Sequence, residues 1–256
     1  MWGKTALIAL ALSAVGFAQD KKDPEEEKKK EEEAKAKLAD FRKDLKASKA
    51  DKDFVNALEK LGELQHPKII AELKIWLGKP SADVAIAAAE QLGKYKKDKD
   101  ASEALTAAAG ARKDKEPVVK FLRYAGDVGY KPATSKFLGF FRHKELDIAK
   151  EAIDSCGKLR TREAVDPLIS LGRELEAVKE DKDNKNGGGG NGIGGGGLLG
   201  GANAKGGMQN EQLERKKALL SPSISALEEI LGQKFATIKE AEQWWRTNKG
   251  TWKEPE

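Results

Sequence analysis

Between residues 53 and 179, apolar side chains recur three and four positions apart, in paired runs separated by short polar turns. Phe54, Leu58, Leu61 and Leu64 share one face of a first helix. His66-Pro67 then interrupts the run, and Ile69, Ile70, Leu73, Trp76 and Leu77 line a second helix. Proline suits a first helical position, where its missing N–H has no partner to lose. The same alternation predicts helices over 83–92 and 101–109, over 117–125 and 132–141, and over 146–156 and 162–175. Alanine crowds the second pair (Ala85, Ala87, Ala88, Ala89, Ala107, Ala108, Ala109), which favours helix and lets neighbours approach closely. No sustained run alternates β-branched residues between turn signals, so the expected class is all-α.

Glycines punctuate these runs at nearly constant intervals. Gly62, Gly93, Gly126 and Gly157 each close the first helix of a pair, at steps of 31, 33 and 31 residues. A fixed period of this size signals stacked units, none of which can bury its apolar face alone. The string Ala57-Leu58-Glu59-Lys60-Leu61-Gly62-Glu63-Leu64-Gln65-His66-Pro67-Lys68-Ile69-Ile70-Ala71-Glu72-Leu73 resembles the HEAT-repeat signature, and Ala152 to Gly157 followed by Ala164-Val165-Asp166-Pro167-Leu168-Ile169 matches it again. The second and third pairs fit less well, because 95–100 and 128–131 replace the usual turn. About half the chain is covered, and the period is similar to that of the short HEAT-like units of many bacterial proteins. The resemblance implies an α-solenoid of about five HEAT-like hairpins. It implies a binding role, and specifies fold rather than activity.

The remaining segments set the domain boundaries. Residues 1–18 have the layout of a signal peptide: Lys4, an uncharged apolar run over 6–15, and the small-x-small site Gly16-Phe17-Ala18. Export to the periplasm or beyond follows, with cleavage near Ala18 and no membrane-spanning segment left afterwards; the alternative is a buried N-terminal helix. Residues 19–52 carry Glu25/Lys29, Glu26/Lys30, Glu31/Lys35 and Glu33/Lys37 at i, i+4 and little apolar stripe before Leu38, Phe41 and Leu45, which predicts a solvated helical spacer. Thirteen of the twenty-one residues from 187 to 207 are glycine, and 180–210 reads as a flexible loop inserted into the array. A fifth pair then begins near Glu211. The chain closes with the capping box Thr237-x-x-Glu240 and with Trp244, Trp245 and Trp252, a packing cap or else a ligand-binding aromatic platform.

Composition narrows the chemistry. Charged residues make up 35% of the chain and the net charge is +5. Cys156 is the single cysteine, so no internal disulfide forms, and its apolar surroundings suit a buried structural thiol. Only His66 and His143 are available as imidazoles, 77 residues apart, and zinc needs three or four nitrogen or sulfur ligands. Gly192-Ile193-Gly194-Gly195-Gly196-Gly197 satisfies a dinucleotide-binding pattern in spacing alone, with no strand before it. The reading is therefore non-enzymatic, with no cofactor and no metal. The leading expectation is a scaffold that binds a protein partner through exposed positions of the second helices, Lys68, Glu72, Lys136 and Arg173. The alternative is an anionic envelope polymer or lipid surface held by lysine- and arginine-rich turns: Lys94, Lys96, Lys97, Arg112, Lys113, Lys158, Arg160 and Arg162. Nucleic acid is not expected as a partner of an exported chain.

Overall fold

The computed structural model describes residues 24–178 and 202–255. The signal-peptide candidate and the greater part of the glycine-rich segment lie outside these described residues. The described residues are mostly helical, with no strand. After α1 (Pro24–Ala47) come, in chain order, α2 (Asp51–Leu61), α3 (Pro67–Leu77), α4 (Ala82–Gly93), α5 (Lys99–Ala111), α6 (Lys115–Val128), α7 (Thr134–Leu138), α8 (Leu146–Leu159), α9 (Val165–Ala177), α10 (Ala202–Leu231) and α11 (Ile238–Asn248); the even-numbered helices from α2 on are called first helices and the odd-numbered ones from α3 on second helices. Short 3-10 turns, Lys131–Ala133 and Arg162–Ala164, lead into α7 and α9.

Local chemistry fixes the starts. The imidazole Nδ1 of His66 accepts the Lys68 N–H at 3.1 Å ahead of Pro67, and Asp98 accepts the Ala101 N–H at 2.8 Å. Ser81 accepts from Val84, and Thr237 accepts from Glu240 as its capping box predicts. α10 begins at Ala202, ahead of the boundary at Glu211, so the end of the segment assigned to the loop by composition is helical.

The first helices of successive pairs pack on one another in chain order, α2 on α4, α4 on α6, α6 on α8 and α8 on α10. The second helices form a parallel layer, in which α3 meets α5, α5 meets the turn before α7, α7 meets the turn before α9, and α9 meets α11. The core runs along the seam between the layers, where Phe121, Phe137, Phe141, Leu58, Leu73, Leu105 and Ile153 are fully buried. Cys156 is buried there as a free thiol, and desolvation pushes its pKa far up, which keeps it protonated and inert.

The recurring glycines sit where the first-layer helices touch. A methyl group on Gly62 would lie 2.3 Å from the Gln91 side chain of α4. On Gly93 it would lie 3.1 Å from Tyr124 of α6, on Gly126 2.7 Å from Ser155 of α8, and on Gly157 3.1 Å from the Ala226 backbone of α10. In the first three cases the incoming residue stands two positions before the next glycine. The period therefore marks one repeated close approach.

The charged N-terminal helix is docked. Ala34 and Phe41 of α1 are buried, Leu38 and Leu45 pack beside them, and Lys37 reaches Glu63 at 2.6 Å. The spacer expected from its charge pattern covers α2 and α3 along this face.

Two alanine substitutions separate these roles by thermal or denaturant unfolding. Gly157→Ala places a methyl against the α10 backbone and lowers stability by about 1–3 kcal/mol. Gly110→Ala, in the last turn of α5 with nothing within 4 Å of the added carbon, raises it by roughly 0.5–1 kcal/mol. Equal effects at the two positions would contradict the packing role.

Candidate binding surfaces

Two regions collect the residues singled out by the sequence. The first is the second layer, which holds Lys68 and Glu72 on α3, Lys136 on α7 and Arg173 on α9. Lys68, Lys136 and Arg173 are exposed and Glu72 is partly so. Three of the four are engaged within the chain. Lys68 pairs with Glu31 of α1 at 2.7 Å, Glu72 accepts the Trp76 indole N–H at 3.3 Å, and Arg173 lies 3.5 Å from Glu242 of α11. Hydrogen bonds from Lys68 and Lys35 hold the Glu31 carboxyl down to about 2.

On α3 the helical period adds a residue that sequence reasoning missed. Ile75 shares the stripe of Lys68 and Glu72 and is 60% exposed, the one large apolar side chain among the described residues left so open. The run Ile69, Ile70, Leu73, Trp76, Leu77 fills the buried stripe, so Ile75 is the one that falls outside it. Beneath this stripe Trp76 is held by Phe41 and Phe54, with ring centroids at 5.6 and 5.8 Å, and by the Lys79 ammonium 4.9 Å above its face.

The second region is the basic turns, which the structure divides between two edges. Lys94, Lys96, Lys97, Lys158, Arg160 and Arg162 lie where α4 leads into α5 and α8 into α9. Arg112 and Lys113 lie where α5 leads into α6, at the opposite ends of the helices. Arg112 is largely buried and donates to the Leu77 and Lys79 carbonyls while pairing with Asp114. On the other edge, Lys94 donates to Gln91, Lys96 to the Asp127 carbonyl at 2.7 Å, and Lys158 to the Asp127 carboxylate at 2.7 Å. Lys94, Lys96 and Lys158 meet in one open groove of about 660 Å³ with Glu90, Tyr124 and Asp127. Lys97 and Arg160 contribute left-handed turns, φ 56° and 52°, and the Lys97 N–H donates to the Val128 carbonyl at 2.6 Å. Arg162 donates to the Lys249 carbonyl at 2.7 Å. Lys96, Arg112, Lys158 and Arg162 thus each tie one unit to another.

Tyr95, which reads as part of a polar turn, is buried and performs the same task. Its hydroxyl accepts the His66 N–H at 3.1 Å and donates to the Leu64 carbonyl at 3.2 Å, tying the second turn to the first, and burial raises its pKa. His66 and His143 do not meet; each imidazole accepts an N–H two residues on. Among the described residues, no three His, Cys, Asp or Glu side chains gather as a metal ligand set. A scan of protein-family models finds no match to this chain, and a search of curated proteins finds none.

Between α6 and α8 a charged groove of about 380 Å³ holds Lys115, Lys120, Arg123, Lys150, Glu151 and Asp154. Arg123 clasps Glu151 at 2.7 Å, and Lys115 pairs with Asp147 at 2.7 Å. Asp154 is half-buried and its carboxyl is raised above 3.8, first by desolvation and then by Glu151, with Glu229 adding to it and Lys150 and Lys158 opposing. A raised carboxyl binds its proton more tightly in the folded chain than in the unfolded one. Its ionisation therefore costs stability as pH rises above 3.8, and the cost disappears as pH falls back through that range. Asp154→Asn is expected to raise the midpoint of thermal unfolding at pH 7 and to leave it unchanged below pH 3.8. A variant less stable than the native chain at pH 7 would show that the carboxylate is instead satisfied.

Proposed function

We propose that this protein is an α-solenoid of five HEAT-like hairpins that acts as an exported, non-enzymatic scaffold, holding a protein partner on the outward face of its second-layer helices. The observation that carries this reading is the serial packing of the helices: each first-layer helix packs on its predecessor and its successor. Stacking of this kind extends a surface lengthwise, and long surfaces of this kind suit partner binding. The α3 stripe, with Ile75 beside Lys68 and Glu72, supplies an apolar anchor rimmed by charge, a pattern suited to protein contact. Export is supported by Lys4, the apolar run over 6–15 and the Gly16-Phe17-Ala18 site.

The engagement of the turn cations supports the scaffold over the polyanion reading. Lys96, Arg112, Lys158 and Arg162 each already donate to an acceptor of a neighbouring unit or of the C-terminal segment. A polyanion would have to compete for them. The convergence of Lys94, Lys96 and Lys158 on one groove is the feature that favours the second reading.

A pull-down from native envelope with the mature chain separates the two. The scaffold predicts a discrete protein retained at high salt, and at least tenfold weaker capture by Ile75→Asp or by the combined charge reversals K68E, E72K, K136E and R173E at unchanged helicity. Diffuse anionic material lost at high salt would instead place binding on the turns.

A further inference from the structure

The final residues leave α11 and return across the starts of two second-layer elements. The Trp252 N–H donates to the Asn248 carbonyl at 2.9 Å, which turns the chain back. Trp252 then meets Trp245 edge-on, with centroids 5.6 Å apart, and Trp245 is buried with its indole N–H on Asp166 at 2.9 Å. The Arg162 guanidinium lies 5.3 Å over the same indole and donates to the Lys249 carbonyl. Further along, a carboxylate oxygen of Glu254 accepts the Arg162 backbone N–H at 2.7 Å, and Lys131 donates to the Pro255 carbonyl.

Arg162 is the first residue of the 3-10 turn leading into α9, so its N–H has no acceptor within that turn, and the Glu254 carboxylate supplies one. The Thr161 hydroxyl just before it is bonded to the Thr134 hydroxyl at 2.8 Å, with both residues buried. Lys131, the Arg162 N–H and guanidinium, and the Trp245 face thus recognise an aromatic ring, a carboxylate and main-chain carbonyls, which are the features of a peptide. The segment that fills them is partly open to solvent: Lys253 and Glu254 are exposed and Trp252 is only partly buried.

We propose that this notch is a peptide-docking site closed in cis by residues 249–255, and that release of this segment presents it to a partner segment of the same chemistry, a peptide with tryptophan two residues before glutamate. The proposal rests on the scaffold reading and adds a second, gated contact point at the far end from α3. A tethered tail acts at an effective concentration on the order of millimolar, so the closed form outcompetes a free peptide of equal affinity.

The probe is a fluorescently labelled peptide of residues 249–256, titrated by anisotropy into the full-length chain and into the full-length variant W252A/E254A. The variant is expected to bind the peptide at least tenfold more tightly than the native chain, and a peptide carrying both alanines is expected to bind neither. Far-UV circular dichroism establishes that the variant is folded; if helicity falls, E254K alone carries the same comparison. Equal affinity for the native and opened chains, or no binding by an opened chain of native helicity, would overturn the proposal. Capture of a partner through Ile75 is read in a separate assay, so failure here leaves the scaffold reading to stand or fall by itself.

Discussion

The architecture depends on how closely the first-layer helices approach one another at Gly62, Gly93, Gly126 and Gly157. At each contact a side chain or backbone of the next helix occupies the space that a β-carbon would need, with separations of 2.3–3.1 Å from that position. The close approach fixes the register of one pair upon the next, and the polar ties then fall into place around it. Ser155 donates to the Leu122 carbonyl at 3.1 Å beside Gly126, Lys158 reaches Asp127, and Arg123 reaches Glu151. Most of the ion pairs are exposed and individually contribute little to stability.

Part of this was legible in the sequence because the same constraint recurs. The helix pairs, the all-α class and the glycine period all come from residues whose neighbours in space are one period away. What was not legible involves partners set by three-dimensional placement. The docking of α1 depends on Ala34 and Phe41 meeting α2 and α3, and the charge pattern of Glu31, Lys35 and Lys37 hides those two apolar positions. Tyr95 reads as a turn residue because its partners, Leu64 and His66, stand in the preceding turn. The basic turns follow one another in sequence, yet Lys94, Lys96 and Lys158 line one groove while Arg112 lies against Leu77 and Lys79 at the other ends of the helices.

The same logic bears on where the molecule can act. A cation that donates to the unit beside it is part of the frame, and its removal weakens the stack before it weakens any ligand. Arg112, with its guanidinium on Leu77, Lys79 and Asp114, belongs to the frame. Ile75 makes no such tie, and Lys136 stands exposed on α7. The α3 stripe is therefore the better place to look for a partner, and the C-terminal notch the better place to look for control of access.

The central claim is that the glycine contacts set the stack, and a double-mutant cycle between Gly126 and Ser155 tests it most directly. An added methyl at Gly126 would stand 2.7 Å from the Ser155 hydroxyl and 2.9 Å from its β-carbon. Gly126→Ala alone is expected to destabilise, and Ser155→Gly in the same chain is expected to relieve the clash. The predicted coupling is roughly 1–2 kcal/mol by denaturant unfolding, with the double variant more stable than the sum of the single changes implies. Additive changes would contradict the account, because they would mean that α6 and α8 do not depend on this contact for their register.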